Sequence, residues 1–116
     1  MTANDIMNSA FQKIDVFGKP QRGTHMLRIL LADDNQNFLS RMESHLKQYA
    51  ARKQLNIQIG SYTRDDISSF ILQSYDLAFL DIDFGNRRGA GIDLARRIRQ
   101  KRNDTIIIFV TSYVEY

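Results

Sequence analysis

From position 27 onward, the sequence alternates between short apolar runs and longer segments with helical spacing. Residues 27–32 are nearly all apolar, which is typical of a strand buried on both faces of a sheet. Three further runs, at residues 56–62, 77–80 and 105–110, have strand character. Repeated alternation of strands and helices predicts parallel strands joined by right-handed crossovers. We therefore expect an α/β fold with a doubly wound parallel sheet and helices on both faces.

Apolar residues between these strands recur at spacings of three and four, which predicts three helices. The first helix carries an apolar stripe formed by Phe38, Met42, Leu46 and Tyr49. The second is short and turns inward Ile67, Phe70 and Ile71. Its expected cap is Asp65 or Asp66. The third follows a glycine-containing loop and turns inward Ile92, Ala95 and Ile98.

Length and composition indicate a small folded domain. The 116 residues, 43% of them hydrophobic and 25% charged, are enough for one hydrophobic core. There are no cysteines, which excludes disulfides, thiolate metal sites and cysteine nucleophiles. No apolar run approaches the length of a membrane span and no export signal is recognisable, so we expect a cytoplasmic protein with no membrane contact.

Basic residues are concentrated between Arg87 and Arg102, where seven of them accompany one acid, Asp93. Two interpretations are open. The run is either a phosphate-binding surface or the solvated face of a helix, and solvated faces of this kind are the more common. The net charge of +3 is too small to indicate nucleic-acid binding by itself.

Acidic and hydroxyl residues follow three of the predicted strands directly. Asp33 and Asp34 follow the first, Asp81 the third and Thr111 the fourth. Ligands of open parallel sheets bind beyond the carboxyl ends of the strands, so we expect these side chains to converge at one edge. An alternative for Asp33 or Asp34 is that either one caps the following helix, with Gln36 completing a weak capping box.

Carboxylates gathered at one edge repel one another and raise each other's pKa. A hard divalent cation removes that conflict, and oxygen-only ligands suit magnesium. A carboxylate beside such an ion can attack phosphorus and form an acyl phosphate. A hydroxyl from Thr111 would supply one hydrogen-bond donor to the transferring group.

Three segments resemble the first, third and fourth strands of response-regulator receiver domains: residues 27–34, 76–83 and 106–112. The resemblance runs in order from position 26 to position 116. Residues 109–116 are most similar to receivers attached to LytTR-type DNA-binding domains. The resemblance implies a flavodoxin-like receiver fold with strand order 2-1-3-4-5, here without its fifth helix.

The resemblance also implies a role for each residue of the acidic edge. Asp81 would be the phosphoacceptor, and Asp34 with Asp33 nearby would hold Mg²⁺, together with Asp81 and the backbone carbonyl of Asp83. Thr111 would bind the phosphoryl group and relay its arrival. The donor would be a histidine kinase or a small acyl phosphate. The domain would be a transient acceptor, with some autodephosphorylation, and not a turnover enzyme. DNA would be reached only through an output domain absent from this chain.

Two features depart from the family pattern. The loop after Asp81 reads Asp-Phe-Gly-Asn-Arg-Arg in place of a Met-Pro-Gly-like turn. The sequence also stops after Tyr116, before the expected fourth helix, fifth strand and fifth helix. Residues 14–20 resemble the missing fifth strand, whose lysine before proline would be Lys19.

Residues 3–11 have the helical spacing of the missing fourth helix, so residues 1–20 are expected to be a circularly permuted part of the receiver and residues 21–25 a linker to the core at 26–116. Lys19 would then lie at the acidic pocket. The alternative is a vector tag, because residues 23–26 resemble a cloning junction.

The sequence is also compatible with two other functions. Asp81-Ile82-Asp83 resembles the paired-aspartate motif of haloacid-dehalogenase-like phosphohydrolases, although Gly85 stands where that family has a threonine. A receiver scaffold can also serve as an interaction module that is never phosphorylated. Whether or not the receiver is phosphorylated, we expect it to self-associate. The dimer would form through uncovered apolar surface or by exchange of residues 1–20.

Overall fold

The structure is a computed structural model that describes residues 9, 12, 26–64, 67–72 and 74–110. Its strands and helices follow in the order β1 (Met26–Ala32), α1 (Gln36–Lys53), β2 (Asn56–Tyr62), α2 (Ser69–Leu72), β3 (Leu77–Asp81), a 3₁₀ turn (Phe84–Asn86), α3 (Ala90–Lys101) and β4 (Ile106–Val110). Each predicted strand is confirmed to within one residue at either end. Within these ranges, no helix has the length and apolar character needed to cross a bilayer.

The four strands form one parallel sheet in the order β2-β1-β3-β4. Leu27 pairs with Ile57 on one side of the sheet centre, and Leu77 pairs with Ile106 on the other. The predicted parallel α/β architecture and the first four places of the predicted strand order are therefore confirmed. The segments predicted to form a fifth strand and a fourth helix lie outside the described residues, apart from positions 9 and 12, which are helical.

Alternate residues of β1 enter two separate cores, one on each face of the sheet. Leu27, Ile29 and Leu31 pack with Leu39, Met42 and Leu46 of α1. Leu30 and Ala32 pack on the opposite face with Leu94, Ala95 and Ile98 of α3. Because β1 and β3 are largely buried on both faces, their sequences are apolar apart from the exposed Arg28 and the terminal Asp81.

Helix α1 begins at a cap that leaves the preceding acids available. The Asn35 side chain accepts a hydrogen bond from the backbone N–H of Phe38 at 3.1 Å, which makes Asn35 the N-cap. The alternative that Asp33 or Asp34 caps this helix is therefore wrong. All three residues have capping side chains, and the helix begins after the third because Leu39 and Met42 must face the sheet.

Two details of the other helices differ from the sequence prediction. Ile92 does not turn inward and is 39% exposed, because the buried stripe of α3 runs through Ala90, Leu94 and Ile98. Helix α2 is only four residues long and begins after Ile67, which is nevertheless buried. The expected cap at Asp65 or Asp66 and the side chain of Phe70 lie outside the described residues.

Three arginines of the basic run tie α3 to its neighbours. Arg97 donates to the carbonyl of Ile67 at 2.6 Å, and Arg99 donates to the carbonyls of Asn103 and Thr105. Arg102 donates to the carbonyl of Tyr75 at 3.0 Å and also pairs with two carboxylates, Asp76 at 2.8 Å and Asp104 at 2.6 Å. Arg97, Arg99 and Arg102 are therefore engaged within the protein, which leaves fewer guanidinium groups of this run for a phosphate-binding surface.

Candidate functional site

The acidic residues gather at the carboxyl edge of the sheet because β1 and β3 are parallel neighbours. Ala32, the last residue of β1, pairs with Leu80, the penultimate residue of β3. Asp33 and Asp34 therefore emerge beside Asp81, as the sequence predicted. The three carboxylates interact electrostatically, since Asp81 and Asp34 both act on the pKa of Asp33.

Asp33 is held as part of the sheet. Its backbone N–H donates to the carbonyl of Tyr62 at 3.1 Å, which extends the β1–β2 ladder by one bond. Its side chain is 3% exposed and accepts the backbone N–H of Asn35 at 2.8 Å. Burial raises the pKa of Asp33 to about 6, with smaller contributions from Asp81 and Asp34, while the bond from Asn35 acts in the opposite direction.

Asp81 is the last residue of β3 and is 5% exposed. One of its carboxylate oxygens, Oδ1, accepts the backbone N–H of Asp83 at 3.3 Å. Burial raises the pKa of Asp81, and the negative charges of Asp34 and Asp83 raise it further, against the effect of the Asp83 N–H. A buried carboxylate surrounded by acids is a strong site for a cation.

Asp34 is exposed and joins two loops of the site. Its Oδ1 accepts the backbone N–H of Gly85, which lies in the 3₁₀ turn after β3. Gly85 has φ of 74°, a left-handed conformation that glycine adopts without strain. The loop after β1 is thereby tied to the loop after Asp81. Sequence reasoning missed this role of Gly85, because its partner lies 51 positions away in the chain.

Asp83 faces the start of helix α3. Its Oδ1 accepts the backbone N–H of Gly89 at 2.9 Å, and Gly89 is the N-cap residue of α3 with φ of 76°. One oxygen of the Asp83 side chain therefore binds the start of α3. The prediction for magnesium concerns a different oxygen, the backbone carbonyl of Asp83.

The other two predicted site residues, Thr111 and Lys19, lie outside the described residues. Val110, which precedes Thr111, is 4% exposed and pairs with Asp81 in the β3–β4 ladder. The predictions for Thr111 and Lys19 therefore stay predictions.

The donor chemistry of this edge fits a hard divalent cation. In the part of the chain that the structure describes, no three acidic or imidazole side chains are grouped closely enough to hold a metal by themselves. Magnesium keeps several waters and needs only one or two protein carboxylates, with phosphate oxygens completing its shell. Asp34 and Asp81 together with the Asp83 carbonyl offer oxygen donors of this kind at one edge of the sheet.

Comparison with protein families matches the response regulator receiver domain over residues 29–116. The chain belongs to the response regulator receiver family. A curated relative of this receiver, the sensory transduction protein LytT of Bacillus subtilis (strain 168), is 29% identical over 91 residues. That match covers 78% of this chain and 36% of LytT, so the receiver spans about a third of the length of its relative. The membership places the chain in two-component signal transduction.

Solved structures show the same receiver fold. A response regulator from Burkholderia pseudomallei, with a phosphorylated aspartic acid, a calcium ion and citrate, matches with a TM-score of 0.60 at 18% identity, over 76% of this chain and 48% of that one. The MaeR response regulator bound to beryllium trifluoride matches with a TM-score of 0.59 at 23% identity, over 78% and 70% of the two chains. A CheY-like receiver from Methanospirillum hungatei JF-1 matches with a TM-score of 0.53 at 21% identity, over 78% and 67%.

Proposed function

We propose that this receiver accepts a phosphoryl group on Asp81 and thereby switches a two-component signalling pathway. The observation that carries the proposal is the position of Asp81, a buried carboxylate at the end of β3 beside the acids that follow β1. Membership of the receiver family supports it. So does the phosphorylated aspartic acid in the Burkholderia pseudomallei structure, which has the same fold.

In the proposed reaction, a carboxylate oxygen of Asp81 attacks phosphorus and forms an acyl phosphate. The P–N bond of a phosphohistidine, or the P–O bond of a small acyl phosphate, breaks with its electron pair leaving on the donor. Oδ1 of Asp81 accepts the N–H of Asp83, whereas Oδ2 has no hydrogen-bond partner within the described ranges. We therefore assign the attack to Oδ2, which the Oδ1 contact keeps in one orientation.

The reaction needs Asp81 to be ionised, and burial with neighbouring acids opposes ionisation. Bound Mg²⁺ would supply positive charge that favours the carboxylate form and offsets the charge of the phosphoryl oxygens. We propose that Asp33, Asp34 and Asp81 hold it, with the Asp83 carbonyl. The hydrogen bond from Gly85 keeps Asp34 beside the loop that carries Asp83.

We further propose that Thr111 donates its hydroxyl to the bound phosphoryl group and that Lys19 pairs with it through its ammonium. The second role requires residues 1–20 to complete the receiver as a permuted segment. Lys19→Ala would then slow phosphorylation or uncouple it from conformational change. Full activity after deletion of residues 1–25 would instead identify that segment as an unrelated tag.

The proposed donor is a histidine kinase, and the proposed place of action is the cytoplasm, where such a kinase presents its phosphohistidine. Contact with DNA is assigned to an output domain outside these 116 residues. We also propose that the receiver forms a dimer, since β4 carries Phe109 at 44% exposure beside three half-buried isoleucines. We propose that the receiver is a transient phosphoryl acceptor, whose catalysis is limited to autodephosphorylation of Asp81.

Two alternatives make different predictions for Asp81. A phosphohydrolase would hydrolyse phosphate esters repeatedly. Membership of the receiver family favours a receiver over a phosphohydrolase. A non-phosphorylated interaction module would take up no phosphoryl group. The buried acids Asp33 and Asp81 speak against the module, because burying carboxylates destabilises the fold and an interaction module has no need of them.

Incubation with acetyl phosphate and Mg²⁺, followed by intact-mass measurement, tests the proposal. We expect a mass increase of one phosphoryl group that EDTA prevents and that Asp81→Asn abolishes, because an amide is not a nucleophile. Asp104→Asn is the matched control, since Asp104 is an exposed acid between α3 and β4, at the opposite edge of the sheet. Equal labelling of Asp81→Asn would remove Asp81 from the role, and absence of labelling in the unmodified protein would favour the interaction module.

A further inference from the structure

Helix α3 approaches the backbone of Asp81 more closely than any side chain would allow. Gly91, the second residue of α3, is buried against the end of β3. A Cβ atom at this position would lie 1.9 Å from the Asp81 carbonyl oxygen, 2.8 Å from its carbonyl carbon and 3.0 Å from Cα of Ile82. These are backbone atoms, which cannot rotate away as the end of a flexible side chain can.

The requirement for glycine at position 91 is steric and not conformational. Gly91 lies inside a helix and its φ is not positive, so alanine would fit its backbone angles and favour the helix. Gly89 has the opposite requirement, since its φ is 76° but nothing lies within 4 Å of a Cβ built there. The close approach at Gly91 therefore serves the contact with Asp81.

Two hydrogen bonds hold the start of α3 against the acceptor loop. The N–H of Gly91 donates to the carbonyl of Ile82 at 2.8 Å, and the N–H of Gly89 donates to Oδ1 of Asp83 at 2.9 Å. The N–H of Asp83 in turn donates to Oδ1 of Asp81. The position of the helix is thus transmitted to the Asp81 carboxylate through its own backbone and through the Asp83 contact.

We propose that Gly91 is a positioning residue for the acceptor: its close approach sets where the Asp81 carboxylate lies relative to Asp34 and the bound cation. This inference rests on the proposed function of Asp81. If residue 91 had a Cβ atom, the distance from that atom to the Asp81 carbonyl oxygen would have to grow from 1.9 Å to at least 3.0 Å. The helix and the acceptor loop would therefore move apart by roughly 1 Å. Misplacement of a reacting group by about 1 Å costs on the order of a hundredfold in rate.

The test compares Gly91→Ala with Gly60→Ala. Gly60 is the matched control because a Cβ there would also meet a neighbour, the Tyr75 hydroxyl at 2.2 Å, but this is the end of a side chain away from the acids. Acetyl phosphate with saturating Mg²⁺ gives the maximal labelling rate and the half-saturating donor concentration, each corrected for the folded fraction. We expect Gly91→Ala to lower the maximal rate by about tenfold to a hundredfold with little change in the half-saturating concentration.

Gly60→Ala is expected to leave both quantities within about twofold of the unmodified protein. A wild-type maximal rate for Gly91→Ala would overturn the proposal, as would an equal loss in both variants, which indicates a general loss of stability. If Gly91→Ala does not fold, Ala95→Val takes its place. Ala95 is 8% exposed and packs against the sheet, so a larger side chain presses α3 outward without touching Asp81.

An Ala95→Val protein with an unchanged maximal rate would overturn the proposal in that case, and a reduced rate supports it.

Crystal structures of the unmodified protein and Gly91→Ala give a readout that does not depend on phosphorylation. A displacement of the Asp81 backbone relative to Asp34 supports the positioning role, and superposable acceptor loops refute it. If the unmodified protein takes up no phosphoryl group, the proposed function fails while this comparison still decides the role of Gly91.

Discussion

The Asp34 carboxylate accepts the backbone N–H of Gly85, a residue 51 positions further along the chain. This bond joins the loop after β1 to the loop after β3, which carry the acids of the proposed cation site. Cation binding and loop position are therefore linked through one side chain, and substitutions at Asp34 can separate the two.

Replacement of Asp34 is expected to weaken magnesium binding by at least about tenfold, or about 1.4 kcal/mol, because a direct carboxylate ligand is lost. Asp34→Asn keeps an oxygen that can accept the Gly85 N–H, whereas Asp34→Ala loses both the charge and the acceptor. Calorimetric titration with Mg²⁺ should show weaker binding for both variants. Hydrogen exchange of the Gly85 amide should accelerate only in Asp34→Ala. Unchanged magnesium affinity in both would remove Asp34 from the cation site.

Stability of the magnesium-free protein should fall as the pH rises from about 4 to about 6. The pKa of Asp33 is about 6 in the folded protein against 3.8 for the ordinary side chain, so between these values the folded state holds a proton that the unfolded state has lost. Two pKa units correspond to about 2–3 kcal/mol, present below the lower value and lost above the higher one. Asp81, whose pKa is raised by the same burial, acts in the same direction.

Urea unfolding at several pH values, with Asp33→Asn as the reference, isolates this contribution. The asparagine is uncharged throughout and can still accept the Asn35 N–H. We expect the variant to be the more stable protein at pH 7 and the difference to vanish near pH 4. Parallel pH profiles for the two proteins would contradict the assigned pKa.

Arg102 should be a main support of the sheet edge opposite the acids. Its guanidinium binds Asp76, Asp104 and the Tyr75 carbonyl, and it is only 30% exposed. Arg102→Ala is expected to lower the free energy of unfolding by about 2–3 kcal/mol, and Arg102→Lys by less, because lysine keeps the charge without the planar fork. The control is Arg96→Ala, whose exposed pair with Asp93 is worth at most about 1 kcal/mol. Equal destabilisation by Arg102→Ala and Arg96→Ala in urea would refute this role.

Self-association should depend on the apolar surface of β4. Phe109 is 44% exposed, and β4 has no partner on its outer side within the described sheet. Burial of a few hundred Å² of such surface at about 25 cal/mol per Å² is worth several kcal/mol before the cost of association. We expect a dimer by sedimentation velocity in a dilution series, and weaker association for Phe109→Lys, since edge lysines oppose strand pairing. A strict monomer at high micromolar concentration would show that this surface is tolerated in water.

Much of the fold could be predicted because each strand has a recognisable apolar pattern and the central strands β1 and β3 are largely buried. Nearly continuous apolar runs located β1, β3 and β4, and the alternation of Ile57 and Ile59 located β2. The rule for parallel sheets brought Asp33, Asp34 and Asp81 to one edge. The phase of a short helix was harder to predict. Ile92 is apolar yet 39% exposed, because the buried stripe of α3 runs through Ala90, Leu94 and Ile98.

The contacts within the site could not be predicted from the sequence. Asp33, Asp34 and Asn35 can all cap a helix, and only the packing of α1 on the sheet selects Asn35. The bond between Asp34 and Gly85 joins residues far apart in the chain, and no local pattern marks it. The types and positions of the acidic residues were therefore enough to predict where the site lies. Its hydrogen bonds could not be predicted, because they depend on how the loops after β1 and β3 pack against each other.

The most direct test of the account locates the phosphoryl group itself. The protein is incubated with acetyl phosphate and Mg²⁺, the acyl phosphate is reduced with borohydride to homoserine, and the modified peptide is sequenced by mass spectrometry. Asp81 is the acid buried at the end of β3, and we predict homoserine at position 81. Homoserine at position 33, 34 or 83, with position 81 unmodified, would contradict the central claim.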